Sequence, residues 1–162
     1  MKQTEFIRRL TDVMESHKQR LFRYACYRTG SVAEAQDILQ DLYLRLLERH
    51  HEVEKAANLP AYIFRSLANA CSSRTIAPHY VDLSSSEVVL LDSDAENFEE
   101  EVERIQTLVA AMPEESREVI RLKIYAGLTF DEVAETLGFS SSTAKRRYYE
   151  GLESLRKKYN LL

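Results

Sequence analysis

The stretch LTFDEVAETLGFSSSTAKRRYYEGLESLRKKY, residues 128–159, decides how the chain is read. Thr129 and Glu132 form a T-x-x-E capping box, in which hydroxyl and carboxylate each satisfy a backbone donor of a new helix. Val133, Ala134 and Leu137 follow at helical spacing, and Gly138 supplies the left-handed residue that ends a helix. Phe139 then makes a short apolar turn, and Ser140 offers a hydroxyl to cap the next helix. In that second helix Ala144, Tyr148, Gly151, Leu152 and Leu155 lie on one stripe. Ser142, Thr143, Arg146, Arg147 and Tyr149 point away from it, with Lys145 at the margin. Two short helices joined by a tight glycine turn, the second with hydroxyl, basic and aromatic groups outward, predict a helix-turn-helix. An ordinary helical hairpin with a solvated basic face is the competing reading.

Working outward, the 162 residues hold one domain or two small helical lobes. Only 4 Gly and 3 Pro interrupt long 3.6-periodic stretches, so the expected fold is all-α. No apolar run reaches the roughly 20 residues that span a bilayer, and MKQTEFIRRL lacks the apolar core of a signal peptide. A cytoplasmic location without membrane insertion is expected. Cys26 and Cys71 have no metal-ligand spacing and are read as reduced, packed thiols. Neither a metal, a cofactor nor a small-molecule ligand is expected. There is no Gly-rich phosphate loop or recognisable catalytic arrangement, so an enzyme is not expected.

A net charge of −4 sits awkwardly with binding a polyanion, but the charges are segregated. Residues 82–103 carry nine acids and no Lys or Arg, whereas residues 143–158 carry six basic residues against two acids. The local field at the second stretch is what a phosphate backbone would meet.

Upstream, one helical pattern runs from about Thr4 to Arg28 and ends at Thr29-Gly30. Ser31 and Glu34 make a second capping box. In the helix that follows, Ala35, Ile38, Leu39, Leu42, Tyr43 and Leu46 form a broad buried stripe. Asp37, Gln40, Asp41, Leu44 and Arg45 are left on the opposite side, with Leu44 hinting at a partner. His50, His51 and Glu52 read as surface residues. Pro60 starts a third helix that cannot pass Ala77-Pro78. Residues 77–95 read as an acidic, serine-rich linker between a lobe at 1–76 and a lobe at 96–162. In the second lobe Ile105, Leu108, Val109 and Met112 mark a first helix, and Pro113 is placed at the N1 position of the next.

This order of elements resembles the extracytoplasmic-function group of bacterial RNA polymerase sigma factors. MPEESREVIRLKIYAGLTFDEVAETLGFSSSTAKRRYYEGLESLRKKY resembles their region 4, which reads the −35 promoter element. AEAQDILQDLYLRLL resembles the region 2 helix that docks on the polymerase clamp helices, and AYIFRSLANAC the next helix, which faces the −10 element. The resemblance implies a promoter-specific initiation factor whose partners are core RNA polymerase, promoter DNA and an anti-sigma factor. It implies a −35 reader of Ser142, Thr143, Lys145, Arg146, Arg147 and Tyr149, and a −10 side of Tyr62, Arg65, Asn69 and Arg74. Polymerase contact falls to Asp37, Gln40, Asp41, Leu44 and Arg45. The chain departs from the family in three places. The basic stretch usual after the third helix is reduced to Arg74, the chain has no Trp, and Glu150-Gly151 replace a common basic residue and alanine. A sigma-like adaptor or inhibitor that binds polymerase or DNA without melting promoters is the alternative.

Overall fold

The computed structural model describes residues 3–74 and 98–159. Every regular element among them is an α-helix: α1 (Gln3–Ser16), α2 (Lys18–Thr29), α3 (Val32–Glu48), α4 (His50–Glu54), α5 (Leu59–Ser73), α6 (Phe98–Ala110), α7 (Glu114–Ile124), α8 (Phe130–Leu137) and α9 (Ser141–Tyr159). The linker assigned to 77–95 lies outside the described residues.

The single helix expected over 4–28 is two. Ser16 turns its hydroxyl back onto the Asp12 carbonyl at 2.8 Å, a local bond that competes with helix continuation. His17 leaves helical geometry at φ −108°, ψ 14°, and its ring packs edge-on against Phe64 of α5 at 5.9 Å. The apolar period survives this break because α1 and α2 both face the same core, Phe6 and Leu10 from one and Leu21, Phe22, Ala25 and Cys26 from the other. Burial on α2 runs nearly all round the helix, the signature of a central element. It packs against α3, α5 and α6.

Caps set the other boundaries. Ser31 accepts the Glu34 N–H at 3.2 Å to start α3. Asn58 Oδ1 accepts the Ala61 N–H at 3.1 Å to start α5, with Pro60 in its first turn. Pro113 is the N-cap residue of α7, one position before the N1 site expected for it. His50 and His51 belong to the short α4, where His50 rests against the ring of Phe6 at 6.0 Å. The second lobe is closed by α7 and α9, which cross with no side chain between them on one partner. A Cβ built on Gly151 would stand 2.9 Å from Ser116 Cβ and 3.2 Å from Met112 Sδ. Here glycine is required by proximity, although it costs about 1 kcal/mol of helix propensity against alanine. Gly151→Ala should therefore destabilise the fold by about 1 kcal/mol, since overpacking of about 1–3 kcal/mol outweighs the propensity gain. Thermal unfolding of the variant checks this, and a raised midpoint would contradict it.

The two lobes do not stand apart. α8 packs along α5, and α6 packs on α2, so that one apolar cluster runs from Phe6 and Leu10 through Tyr24 to Tyr125, Val133 and Leu155.

Candidate nucleic-acid and docking interfaces

The helix-turn-helix is assembled by short-range polar contacts. Thr129 Oγ1 accepts the Glu132 N–H at 3.1 Å, and the Glu132 carboxylate accepts the Thr129 N–H at 2.8 Å, closing the capping box. Gly138 takes φ 82°, and its N–H donates to the Ala134 carbonyl at 2.8 Å. Ser140 Oγ accepts the Thr143 N–H at 3.1 Å and donates to Thr143 Oγ1 at 3.0 Å. The Ser141 hydroxyl ties α9 to Asp131 of α8. The direction of α9 relative to α8 is thus held by the Ser141–Asp131 link and the buried Ala144.

Of the six residues assigned to the reader, Ser142, Lys145, Arg146 and Tyr149 are exposed. Thr143 and Arg147, expected to point away from the core, are half-buried. Thr143 is taken up by the cap. Arg147 lays its guanidinium over the Phe139 ring at 4.7 Å, a cation–π contact that pins the turn to α9. Among the described residues Arg146 pairs with Glu150 alone, at 3.9 Å, with more than half of each side chain in solvent. Tyr149, 59% exposed, closes an aromatic row with Tyr148 at 5.2 Å and Phe130 at 6.2 Å. Lys123 of α7 extends this row, its ammonium 4.6 Å above Phe130. No spacing in the sequence links Lys123 to α9, because the contact runs through a third helix.

On α3, Asp37, Gln40, Asp41, Leu44 and Arg45 are all exposed. Their spacing of 3, 1, 3 and 1 residues makes one helical face, and Leu44 stands 51% open within it. Arg74, assigned to the −10 side, is turned to this face instead. Its guanidinium pairs with Glu34 at 2.8 Å, Asp37 at 3.0 Å and Asp41 at 2.9 Å. Along α5, Arg65 and Asn69 are exposed and Tyr62 is half-buried. The Arg65 guanidinium lies against the helix-turn-helix, 3.6 Å from where a Cβ on Gly138 would stand.

Between the lobes runs a polar seam that no local pattern announces. The Tyr24 hydroxyl, with its side chain fully buried, donates to Glu118 of α7. Arg28 donates to the Tyr24 oxygen at 2.6 Å, to Glu118 at 3.3 Å and to Ser72 Oγ at 3.0 Å. Arg121 adds a 3.4 Å contact to Glu118. Burial, with the Glu118 carboxylate alongside, pushes the Tyr24 phenol well above its ordinary pKa, so it stays a donor at any physiological pH. Burial likewise lifts Cys71, at the edge of this seam, to about 11. Tyr27 stacks on Tyr125 at 5.2 Å and 18°. Gln106 donates to the Tyr27 carbonyl at 2.9 Å, and Arg20 reaches Glu132 at 3.2 Å.

A family model described as Sigma-70 region 2 matches residues 13–75, and one described as Sigma-70, region 4 matches residues 102–155. They occur in that order and take in most of the chain. The chain belongs to the sigma-70 family, in its ECF group. Among its relatives, the ECF sigma factor SigW of Bacillus subtilis is 27% identical, over 90% of this chain and 86% of that protein. SigZ of the same organism is 27% identical over 91% and 85%, and the ECF sigma factor SigL of Mycobacterium tuberculosis 26% over 88% and 84%. The fold is also that of CnrH, solved in complex with the cytosolic domain of CnrY, with a TM-score of 0.69 over 98% of this chain and 94% of CnrH at 17% identity. The protein is an RNA polymerase sigma factor. Among the described residues no helix of this sigma factor is long and apolar enough to cross a membrane.

Proposed function

We propose that this sigma factor docks on core polymerase through the α3 face of Asp37, Gln40, Asp41, Leu44 and Arg45. It reads the −35 element with Ser142, Lys145, Arg146 and Tyr149 of α9, Arg147 and Thr143 holding the reader in place. The observation that carries the reading is that α9 presents hydroxyl, basic and aromatic groups outward from a start tied down by Ser140 and Ser141. Affinity comes mainly from phosphate contacts and specificity from side chains at base edges. The factor does no chemistry of its own and works in the cytoplasm with the polymerase. Tyr62, Arg65 and Asn69 of α5 face the −10 element. By likeness to CnrH, whose structure holds a second protein, an anti-sigma factor is its regulator.

This reading requires the lobes at 1–76 and 96–162 to separate. The −35 and −10 elements lie about 25 base pairs apart, about 85 Å along B-form DNA, whereas a packed chain of this length has a radius of gyration of about 15 Å. Separation also frees Arg65 from the helix-turn-helix.

Run-off transcription with core polymerase and a promoter library tests the function as a whole. The docking face is tested by Asp41→Lys. Core affinity should fall about tenfold, as for a reversed charge in an interface. Fold stability should change by under about 1 kcal/mol, because the ion pair lost is an exposed one. Core affinity equal to that of the unaltered factor would remove α3 from the docking surface.

A further inference from the structure

The α3 face is not vacant in the free factor. Arg74, at the C-terminal end of α5, is held by three carboxylates of α3 within 3.0 Å. Two of the three, Asp37 and Asp41, belong to the proposed docking face. The third, Glu34, lies one turn earlier and is only half-exposed. Glu34, Asp37 and Asp41 follow each other at three- and four-residue intervals, so their carboxylates line one edge of the helix. A single guanidinium, with its planar fork of donors, can serve all three. Without a cation there, three like charges within two turns would repel one another.

We propose that Arg74, seated on Glu34, Asp37 and Asp41 in the free factor, is an intramolecular placeholder for a cationic group of core polymerase that takes over Asp37 and Asp41 on docking. The proposal rests on α3 being the docking face. The partner it implies presents an arginine or lysine to this edge beside an apolar contact for Leu44, and that cation must displace Arg74 before it can pair. The incoming cation replaces Arg74 on Asp37 and Asp41, so the apparent affinity is reduced to the fraction of molecules in which Arg74 is unseated. It also links the two ends of region 2. While Arg74 sits on α3 it is withheld from the α5 side that faces DNA, and docking releases it there.

Two substitutions in the full-length factor separate this from a structural role. Arg74→Ala removes the competitor. Glu34→Gln weakens its seat while leaving both docking carboxylates in place. Binding to core polymerase, measured by competition with a labelled factor at low and high salt, should tighten about three- to fivefold in both variants, the gain expected from releasing surface ion pairs. The gain should shrink at high salt, where the seat is screened. Arg74→Lys, which keeps the charge but not the fork, should fall between Arg74→Ala and the unaltered factor. Should Arg74→Ala fail to fold, Glu34→Gln carries the test. Unchanged or weakened core binding in the folded variants, with Asp41→Lys still impaired, overturns the placeholder alone. Unimpaired binding by Asp41→Lys and by Asp37→Asn overturns the docking face and the placeholder with it.

Discussion

Glu118→Ala should open the protein. Glu118 is the acid at the centre of the seam among the described residues, accepting from the Tyr24 hydroxyl, Arg28 and Arg121. The Arg28 side chain is 10% exposed and that of Glu118 25%, so the pair is largely removed from water. Deleting one partner of a buried pair costs about 3–5 kcal/mol because the other charge is stranded. Partial exposure of Glu118 brings the expected figure to about 2–3 kcal/mol. Each lobe keeps its own helices, so the cost is relieved by separation and rehydration of Arg28 rather than by unfolding. The closed form should lose about 30- to 150-fold in relative population, at a factor of ten per 1.4 kcal/mol. Small-angle scattering should show a larger radius of gyration with helicity unchanged. Glu118→Gln, which keeps an acceptor but not the charge, should fall between. A variant as compact as the unaltered protein would mean that the Tyr27–Tyr125 stack and the α5–α8 packing hold the lobes without the seam.

Arg146→Ala should have the largest effect on DNA. Arg146 lies exposed in the first two turns of α9, and among the described residues it pairs with the solvated Glu150 alone. Arginine to guanine is the commonest specific pairing in the major groove, and its loss costs about 1–3 kcal/mol with relaxed preference at one base pair. Affinity for a cognate −35 duplex should drop about 5- to 150-fold. Arg147→Ala should act differently. Its guanidinium is spent on the Phe139 ring, and its Nε has no hydrogen-bond partner among the described residues. Its removal should loosen the turn and weaken all sequences alike. Glu150→Gln should tighten binding and lower its salt dependence little, because it releases Arg146 without adding a phosphate contact. Equal affinity and base preference in Arg146→Ala and the unaltered factor would move the reader off this helix.

Much of this was legible because it is local. Thr129-x-x-Glu132, Gly138 and Ser140 specify their contacts within three or four residues, so the helix-turn-helix follows from spacing alone. The α3 face was equally visible, since a 3.6-residue period sorts Ile38 and Leu42 from Asp37 and Asp41. What the sequence hid depends on distant partners. His17 breaks the first helix because Phe64, far along the chain, takes its ring. Arg147 reads as outward by helical phase until Phe139 is seen beneath it. Arg74 looks like the remnant of a basic stretch, yet its partners lie on α3. Tyr24, Arg28 and Glu118 carry no mark of their meeting, because a polar seam between two lobes has no period. Gly151 reads as a weak point in a helix, and only the nearness of Ser116 explains it.

That nearness bears on how the reader could diversify. At Gly151 the α9 backbone meets the Ser116 side chain of α7 directly, and α9 has no side chain there to be exchanged for a larger or smaller one. The axis of α9 is consequently insulated from drift in the surrounding core. Ser142, Lys145 and Arg146 stand exposed and outside the apolar cluster. They can be rewritten one at a time to suit a new promoter while the angle at which the helix meets the groove stays fixed.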